Sequence, residues 1–348
     1  FGSSHLQAQC NFVPHGLPSL LTMATASSSV LSLLSSPQVP FLTDAGIETH
    51  MIFKLGRDLR NFALFELLQD EEGLQLLERM YETYWSVACK YQYNLLMGSP
   101  TWRASHDHMV VTMDYSAEQV NEINRKGASW MTAFRAAHPL PEGLAFVVAG
   151  DVGPRGDGYV VEAPMEVSAA AEFHGAAINA LKEGGAEVIQ AVTMTYVGEA
   201  AGIAIAASLA KLPCIILFTV ETDGRLPAPM STPLGEAILA VDAAVQQAGA
   251  VPPVYYGINC AHPIHMNAAL ADASPEALAR LHALRPNSSE KSHAELDEAA
   301  DLDEGDRSAL AEHVAQICDK LPSWHVVGGC CGCDDTHLAH ICAALRKQ

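Results

Sequence analysis

The chain has 348 residues, 40 acidic against 20 basic, and a net charge of −20 with neutral histidines; no window gathers the Lys and Arg that a phosphate backbone needs, which excludes nucleic acid as the main partner. Hydrophobic residues make up 49% and charged residues 17%, a composition that can bury a large core and excludes global disorder. Nine cysteines in so long a chain do not make a small secreted disulfide scaffold, and they point to metal or thiol chemistry in a reducing, cytoplasmic compartment.

Residues 1–39 contain no Asp, Glu, Lys or Arg and are rich in Ser, Pro and Leu. They read as a leader, mostly irregular; the chain starts at Phe1, and Met23 offers a start that would make residues 1–22 an upstream segment. From Phe41 onward short apolar runs alternate with longer stretches of helical periodicity. The runs are Phe41–Gly46, Tyr93–Gly98, Leu144–Gly150, Val188–Met194, Cys214–Val220, Val254–Asn259, a weak one at Leu281–Leu284, and Val326–Gly329. Runs apolar on both faces suit buried parallel strands. Glu66–Lys90 and Glu162–Leu181 read as amphipathic helices, with Pro164 in a first turn. Ala200–Val220 has the hydropathy of a membrane span, but Lys211 and Pro213 interrupt it, so it reads as a helix followed by a buried strand. Length alone allows one or two domains. Eight βα units over residues 40–348 predict a single TIM (β/α)8 barrel, and a doubly wound open sheet is the alternative that the strand count does not exclude.

In a barrel, chemistry belongs at the C-terminal ends of strands. This filter selects Asp44 with Glu48, Gly98–Arg103, Asp151, Thr193–Tyr196, Glu221–Asp223, Asn259–Cys260 and Gly329–Cys331. The most informative segment is Val326-Val327-Gly328-Gly329-Cys330-Cys331-Gly332-Cys333, an apolar run leading into paired glycines and adjacent cysteines. Glycines let the backbone turn sharply enough for neighbouring side chains to reach one ion. Cys260 follows Gly257-Ile258-Asn259 at another strand end. Across a barrel mouth, Cys260, Cys330 and Cys331 would form a three-thiolate Zn2+ site with one open position, the catalytic rather than the structural pattern. Cys333 could replace or supplement one of them. Cys10, Cys89, Cys214, Cys318 and Cys342 read as packing.

The combination of Thr43-Asp44-Ala45-Gly46-Ile47-Glu48-Thr49, Gly257-Ile258-Asn259-Cys260 and Gly328-Gly329-Cys330-Cys331-Gly332 resembles the zinc-dependent homocysteine S-methyltransferase family, which includes betaine–homocysteine and S-methylmethionine–homocysteine methyltransferases. The resemblance covers roughly Pro40 to Arg346. It implies a TIM barrel, zinc ligands Cys260, Cys330 and Cys331, and a substrate edge at Asp44 with its neighbours Gly46 and Glu48. Asn259 and Thr195, at two further strand ends, complete the expected substrate residues. The chain departs from the family pattern at two points. Val192 stands where many members carry a glutamate that binds the substrate's amino group, and Cys333 replaces the usual threonine after Cys-Cys-Gly. Glu48, Glu221 or Asp223 could supply a carboxylate instead, or the acceptor could be a different thiol.

The expected partners are a small thiol acceptor, most simply homocysteine, and a cationic methyl donor, with no membrane and with a homo-oligomer possible. A free alkyl thiol is mostly protonated at pH 7, and metal coordination removes that proton. Trp102 and Tyr196 could face the cation. Two other readings compete with this one. The first is cysteine-nucleophile acyl transfer, with Cys260 or Cys331 as attacker and His262, His265 or His337 as base. The second is a zinc-binding barrel of the same family without turnover. His106-Asp107-His108 reads as a solvated loop, and His262 with His265 as a helix cap and rim. Asp151–Gly156 lacks a phosphate-loop pattern, and the nine acids between Glu290 and Glu312 read as a solvated face.

Overall fold

Eight short apolar segments pair in parallel and close on themselves: β1 (Phe41–Leu42), β2 (Asn94–Gly98), β3 (Phe146–Val152), β4 (Val188–Met194), β5 (Cys214–Phe218), β6 (Tyr255–Asn259), β7 (Leu281–Arg285) and β8 (Val326–Val327). The computed structural model describes residues 29–346. Sequential strands are neighbours throughout, and Phe41 and Leu42 of β1 register against Val326 and Val327 of β8 to complete the ring. Each of the eight predicted runs therefore overlaps a strand, β3 and β7 extending to Val152 and Arg285 beyond their runs, and closure excludes the open sheet. The first and last strands are the shortest, because the chain leaves the sheet at Thr43 and Gly328 to form loops at the mouth.

Period-2 alternation divides the apolar residues into two cores. Leu96, Val147, Ala149, Val188, Ile215, Leu217, Tyr255, Ala283 and Val326 point into the barrel. Their neighbours Leu95, Met97, Val148, Ile189, Ile216 and Phe218 point outward, under the helices. The helices that follow the strands are α1 (Glu71–Tyr91), α2 (Ala117–Ala137), α3 (Val167–Glu183), α4 (Val197–Leu209), α5 (Leu234–Gln247), α6 (Pro263–Ala271), α7 (Arg307–Cys318) and α8 (Asp335–Leu345). Side-chain caps fix several starts: Asp70 accepts from the Gly73 amide, Ser116 forms a capping box with Gln119, and Asp306 caps α7. Each cap satisfies backbone donors that the first turn leaves free.

Two helix boundaries differ from those the sequence predicts. Asp70 is extended, so the stretch from Glu66 splits into a 3-10 turn, Leu64–Gln69, and α1. The helix predicted from Glu162 begins at Val167, and Pro164 belongs to an irregular segment that precedes it. Ala200–Val220 is the rest of α4 followed by β5, and no helix among the described residues is long and apolar enough to cross a membrane. Of the leader, residues 1–28 lie outside the described residues, and residues 29–35 are helical rather than irregular. Val30 and Leu34 join the inward core with Phe41 and Val326, covering the end of the barrel opposite the mouth.

Burial of Leu34 makes this helix part of the barrel's stability. Leu34→Ala should lower unfolding free energy by about 2–5 kcal/mol, the range for buried Leu→Ala changes, whereas Leu31→Ala, with Leu31 42% exposed, should change it by less than about 0.5 kcal/mol. Urea unfolding of the two variants checks this, and equal effects would mean that the helix does not seal the barrel.

Candidate metal and substrate site

Two strand ends and one loop bring the sulfurs together. At the end of β6, Asn259 points inward: its Oδ1 accepts from the Thr193 amide at 2.9 Å, and its Nδ2 donates to Thr193 Oγ1 at 2.8 Å and reaches Cys330 Sγ at 3.8 Å. This clamp holds Thr193 at φ 64°, and the next residue along β6, Cys260, sits at φ 56°. Left-handed backbone at non-glycine residues costs about 1–3 kcal/mol each and persists only where surrounding contacts enforce it. The Cys260 amide is held by the Arg285 carbonyl at 3.0 Å.

The Gly-Gly-Cys-Cys-Gly loop after β8 is pinned from both sides. The Gly329 amide donates to the Asp44 carbonyl at 3.0 Å, the Cys330 amide to the Pro286 carbonyl at 2.8 Å, and the Ser288 amide to the Cys331 carbonyl at 3.1 Å. Gly332 turns the chain at φ +75°, and a Cβ there would stand 1.9 Å from Ser288 Oγ, so only glycine fits.

These constraints place the sulfurs of Cys260, Cys330 and Cys331 within 4.8 Å of one another, with Cys260 and Cys331 at 3.4 Å. Thiolates arranged tetrahedrally about 2.3 Å from one ion stand about 3.8 Å apart, so the donor set fits a thiophilic metal. Cys333 is outside the cluster; its thiol is buried and donates to the Pro286 carbonyl at 3.3 Å. Cys89, Cys214, Cys318 and Cys342 lie in α1, β5, α7 and α8, and Cys10 lies outside the described residues. Hydrogen bonds from Cys330 and Cys331 pull the Cys260 thiol well below its ordinary range. The same bond to Cys260 pushes Cys330 up to about 12, and contacts with Cys260 and Cys330 push Cys331 up as well. A metal bound here would displace the protons that Cys330 and Cys331 hold more tightly than Cys260 does.

A narrow pocket opens beside the sulfurs, lined by Asp44, Gly46, Glu48, Trp102, Asp151 and Arg285, and also by Tyr159 and Val192. The Asp44 carboxylate accepts from Arg285 Nη2 at 2.6 Å. Burial pushes the Asp44 carboxyl up although Arg285 opposes the shift; burial, with Asp44 nearby, pushes Glu48 up to about 7. Among the residues expected to bind substrate, Asp44, Gly46 and Glu48 line this pocket and Asn259 braces its floor. Thr195 instead lines a neighbouring cavity of about 400 Å³ with Arg103, Arg155 and Tyr196. Trp102 donates its indole N–H to the Val192 carbonyl at 3.1 Å, and its ring is covered by its own neighbour's guanidinium, Arg103, at 4.1 Å. Glu221 pairs with His293 at 3.0 Å, and Asp223 accepts from the Arg225 amide, so neither lines the pocket.

The residues expected to act as bases in acyl transfer have other work. His262 caps α6 through the Ile264 amide, and His337 is bonded to Asp334 and to the Glu304 carbonyl. His265 packs near His262, with ring centroids 6.1 Å apart. His108 bonds the Gly156 carbonyl and Arg103 and takes no part in a metal cluster among the described residues.

Three residues at the site escape the sequence reading of roles. Asp151 was selected as a strand end, but its inward direction follows from sharing parity with Val147 and Ala149 on β3. Arg285 lies one residue beyond the weak run at β7. Tyr159, whose hydroxyl is 3.1 Å from Cys260 Sγ and 3.9 Å from Cys331 Sγ, comes from the irregular segment after β3 and stacks on His293 at 3.9 Å; no periodicity marks it.

The barrel recurs in known proteins. Structures of the homocysteine methyltransferase MmuM from Escherichia coli are similar in fold: the oxidized form at TM-score 0.68 and 20% identity, covering 89% of this chain and 97% of that one, and the metallated form at 0.67 and 20%, covering 90% and 98%. No curated protein sequence matches this chain. A family model described as homocysteine S-methyltransferase matches residues 41–345, the whole of the barrel from β1 to the end of α8, and the chain belongs to that family.

Proposed function

We propose that this chain is a zinc-dependent S-methyltransferase that moves a methyl group from a sulfonium or quaternary ammonium donor to the sulfur of homocysteine, giving methionine. The observation that carries the reading is the convergence of Cys260, Cys330 and Cys331 at the mouth, beside a pocket that holds three carboxyl groups and a guanidinium. Bound to these three cysteines, zinc would supply the Lewis acidity that keeps an incoming thiol ionised at neutral pH.

The chain's own residues do the rest. Asn259 and the Cys330–Gly332 backbone contacts fix the sulfurs, so little reorganisation is needed when a substrate arrives. Asp44 and Glu48 offer carboxyl groups to a cationic group; burial raises both, Glu48 to about 7, and an entering cation would favour their ionised forms. In the transfer, the donor's bond to methyl breaks with its electron pair left on the departing sulfur or nitrogen, which becomes neutral. A lone pair on the acceptor sulfur forms the new S–C bond. Tyr159, against two of the sulfurs, must yield space to an acceptor. The described cysteines are all free, in keeping with a reducing, cytoplasmic setting. A second reading, the same zinc barrel serving another thiol, draws support from Val192 in the pocket wall, since an apolar residue there leaves β4 without a charge for an amino group.

Purified protein incubated with homocysteine and S-methylmethionine, S-adenosylmethionine or betaine should yield methionine with at least one donor. Cys331→Ala should lose its zinc and more than about a thousand-fold in rate; unchanged zinc content would remove Cys331 from the ligand set, and methylation of other thiols alone would favour the second reading. Zinc binding should also depend on pH. Cys330 and Cys331 sit above the ordinary thiol range while Cys260 sits below it, so binding releases about two protons near neutrality and affinity should rise up to about 100-fold from pH 6.5 to 7.5. Competition against a chromophoric chelator measures this, and a flat profile would mean that the thiols are already ionised.

A further inference from the structure

The pocket beside the sulfurs holds three acids to one base, and burial pushes all three carboxyls up, Asp151 with Asp44 nearby most plainly, so that a cation among them would be stabilising. Asp44, Glu48 and Asp151 line it, against the single guanidinium of Arg285. Asp44 takes Arg285 Nη2, and the Gly329 carbonyl takes its Nε at 3.1 Å. The remaining nitrogen, Nη1, is buried without a partner among the described residues, on a side chain that is 5% exposed. A buried guanidinium with an unused donor and a surplus of buried acids both call for a ligand of mixed charge.

Asp151 is the acid with the most deliberate placement. It stands inward on β3, 7% exposed, with Oδ1 accepting from Gln190 of β4 at 2.9 Å. Its carboxylate occupies the space above Gly98 of β2, where a Cβ would lie 2.0 Å from Oδ2. Any other residue at position 98 would expel the carboxylate, so β2 is shaped to admit it. The β3 and β4 strands register Asp151 beside Gln190 and Val152 beside Ala191, and Val192, the next inward residue of β4 after Gln190, lines the same pocket as Asp151.

Resting on the proposed S-methyl transfer, we infer that Asp151 determines acceptor specificity by binding the α-ammonium group of an amino-acid thiol, supplying from β3 the charge that Val192 withholds on β4. Asp44 is engaged by Arg285, which leaves Asp151 freer to take the ammonium, and Arg285 Nη1 is the donor available to the acceptor's carboxylate. The acceptor class is therefore a zwitterionic amino thiol rather than a simple alkyl thiol.

The test compares homocysteine with 4-mercaptobutanoate, the same molecule without its amino group, by calorimetry on the zinc-loaded protein and by KM where transfer is measurable. Wild type should prefer homocysteine by about 100-fold, the scale of a buried charge-assisted bond. In Asp151→Asn the preference should fall below about 10-fold, with weaker homocysteine binding, little change for 4-mercaptobutanoate, and kcat less affected than KM. Comparing two ligands on one variant cancels any general loss of stability. Asp151→Asn combined with Val192→Glu should regain part of the preference, since it returns a carboxylate to the adjoining strand. Equal binding of the two thiols by wild type, or an unchanged preference in Asp151→Asn, overturns the inference. A preference that depends on Asp151 without methylation of either thiol upholds it and instead removes the transfer reading.

Discussion

Three sulfurs confined within a few ångströms cannot all be thiolates without a cation among them. Like charges about 4 Å apart repel by roughly 4 kcal/mol at an effective dielectric near 20, and hydrogen bonds among the sulfurs lower the Cys260 thiol while raising Cys330 and Cys331. Much of the local architecture serves to keep the sulfurs close despite that repulsion. Asn259 spans from β6 to Thr193 and Cys330, and Thr49 holds the Gly332 amide at 3.1 Å. Two residues are kept in left-handed backbone where neither glycine nor asparagine eases the cost. The fold thus stores a cluster that a bound cation would relieve.

The barrel interior changes character along its axis. At the closed end Leu34, Phe41, Val147, Val188, Tyr255 and Val326 make an apolar plug. Toward the mouth the same inward parity delivers Asp151, Gln190, Asn259 and Arg285, all buried. Buried polar groups are normally bonded: Gln190 and Asn259 are bonded within the barrel, whereas Arg285 keeps one free donor among the described residues. The gradient explains how one fold supplies both rigidity and a charged recess. The segment between β3 and α3 brings Tyr159 over the sulfurs, so the recess is enclosed by a loop rather than by the strands alone.

The eight strands were legible because parallel strands in a barrel are covered on both faces and read as unbroken apolar runs. The three cysteines were legible because adjacent cysteines between glycines have little use in packing, and Cys333 was ambiguous until its bond to the Pro286 carbonyl was known. Helix starts were less so: at Asp70 a side-chain cap outcompeted continuing periodicity, and Pro164 falls before the helix it was expected to open. Helix 29–35, with Ser-rich composition, owes its form to burial of Val30 and Leu34, a tertiary effect that local propensity does not report. The inward acids were the hardest to assign, since an Asp at a strand end looks the same in sequence whether it faces water or a recess. Thr195 shows the converse, a strand-end residue beside the expected pocket that lines a different cavity.

X-ray absorption at the zinc edge tests the central claim most directly, because it counts sulfurs around the metal in solution. The account predicts three sulfurs at about 2.3 Å with one lighter atom in the protein alone, and four sulfurs once the thiol acceptor is added. A shell of two sulfurs, or a shell that the thiol leaves unchanged, would contradict it.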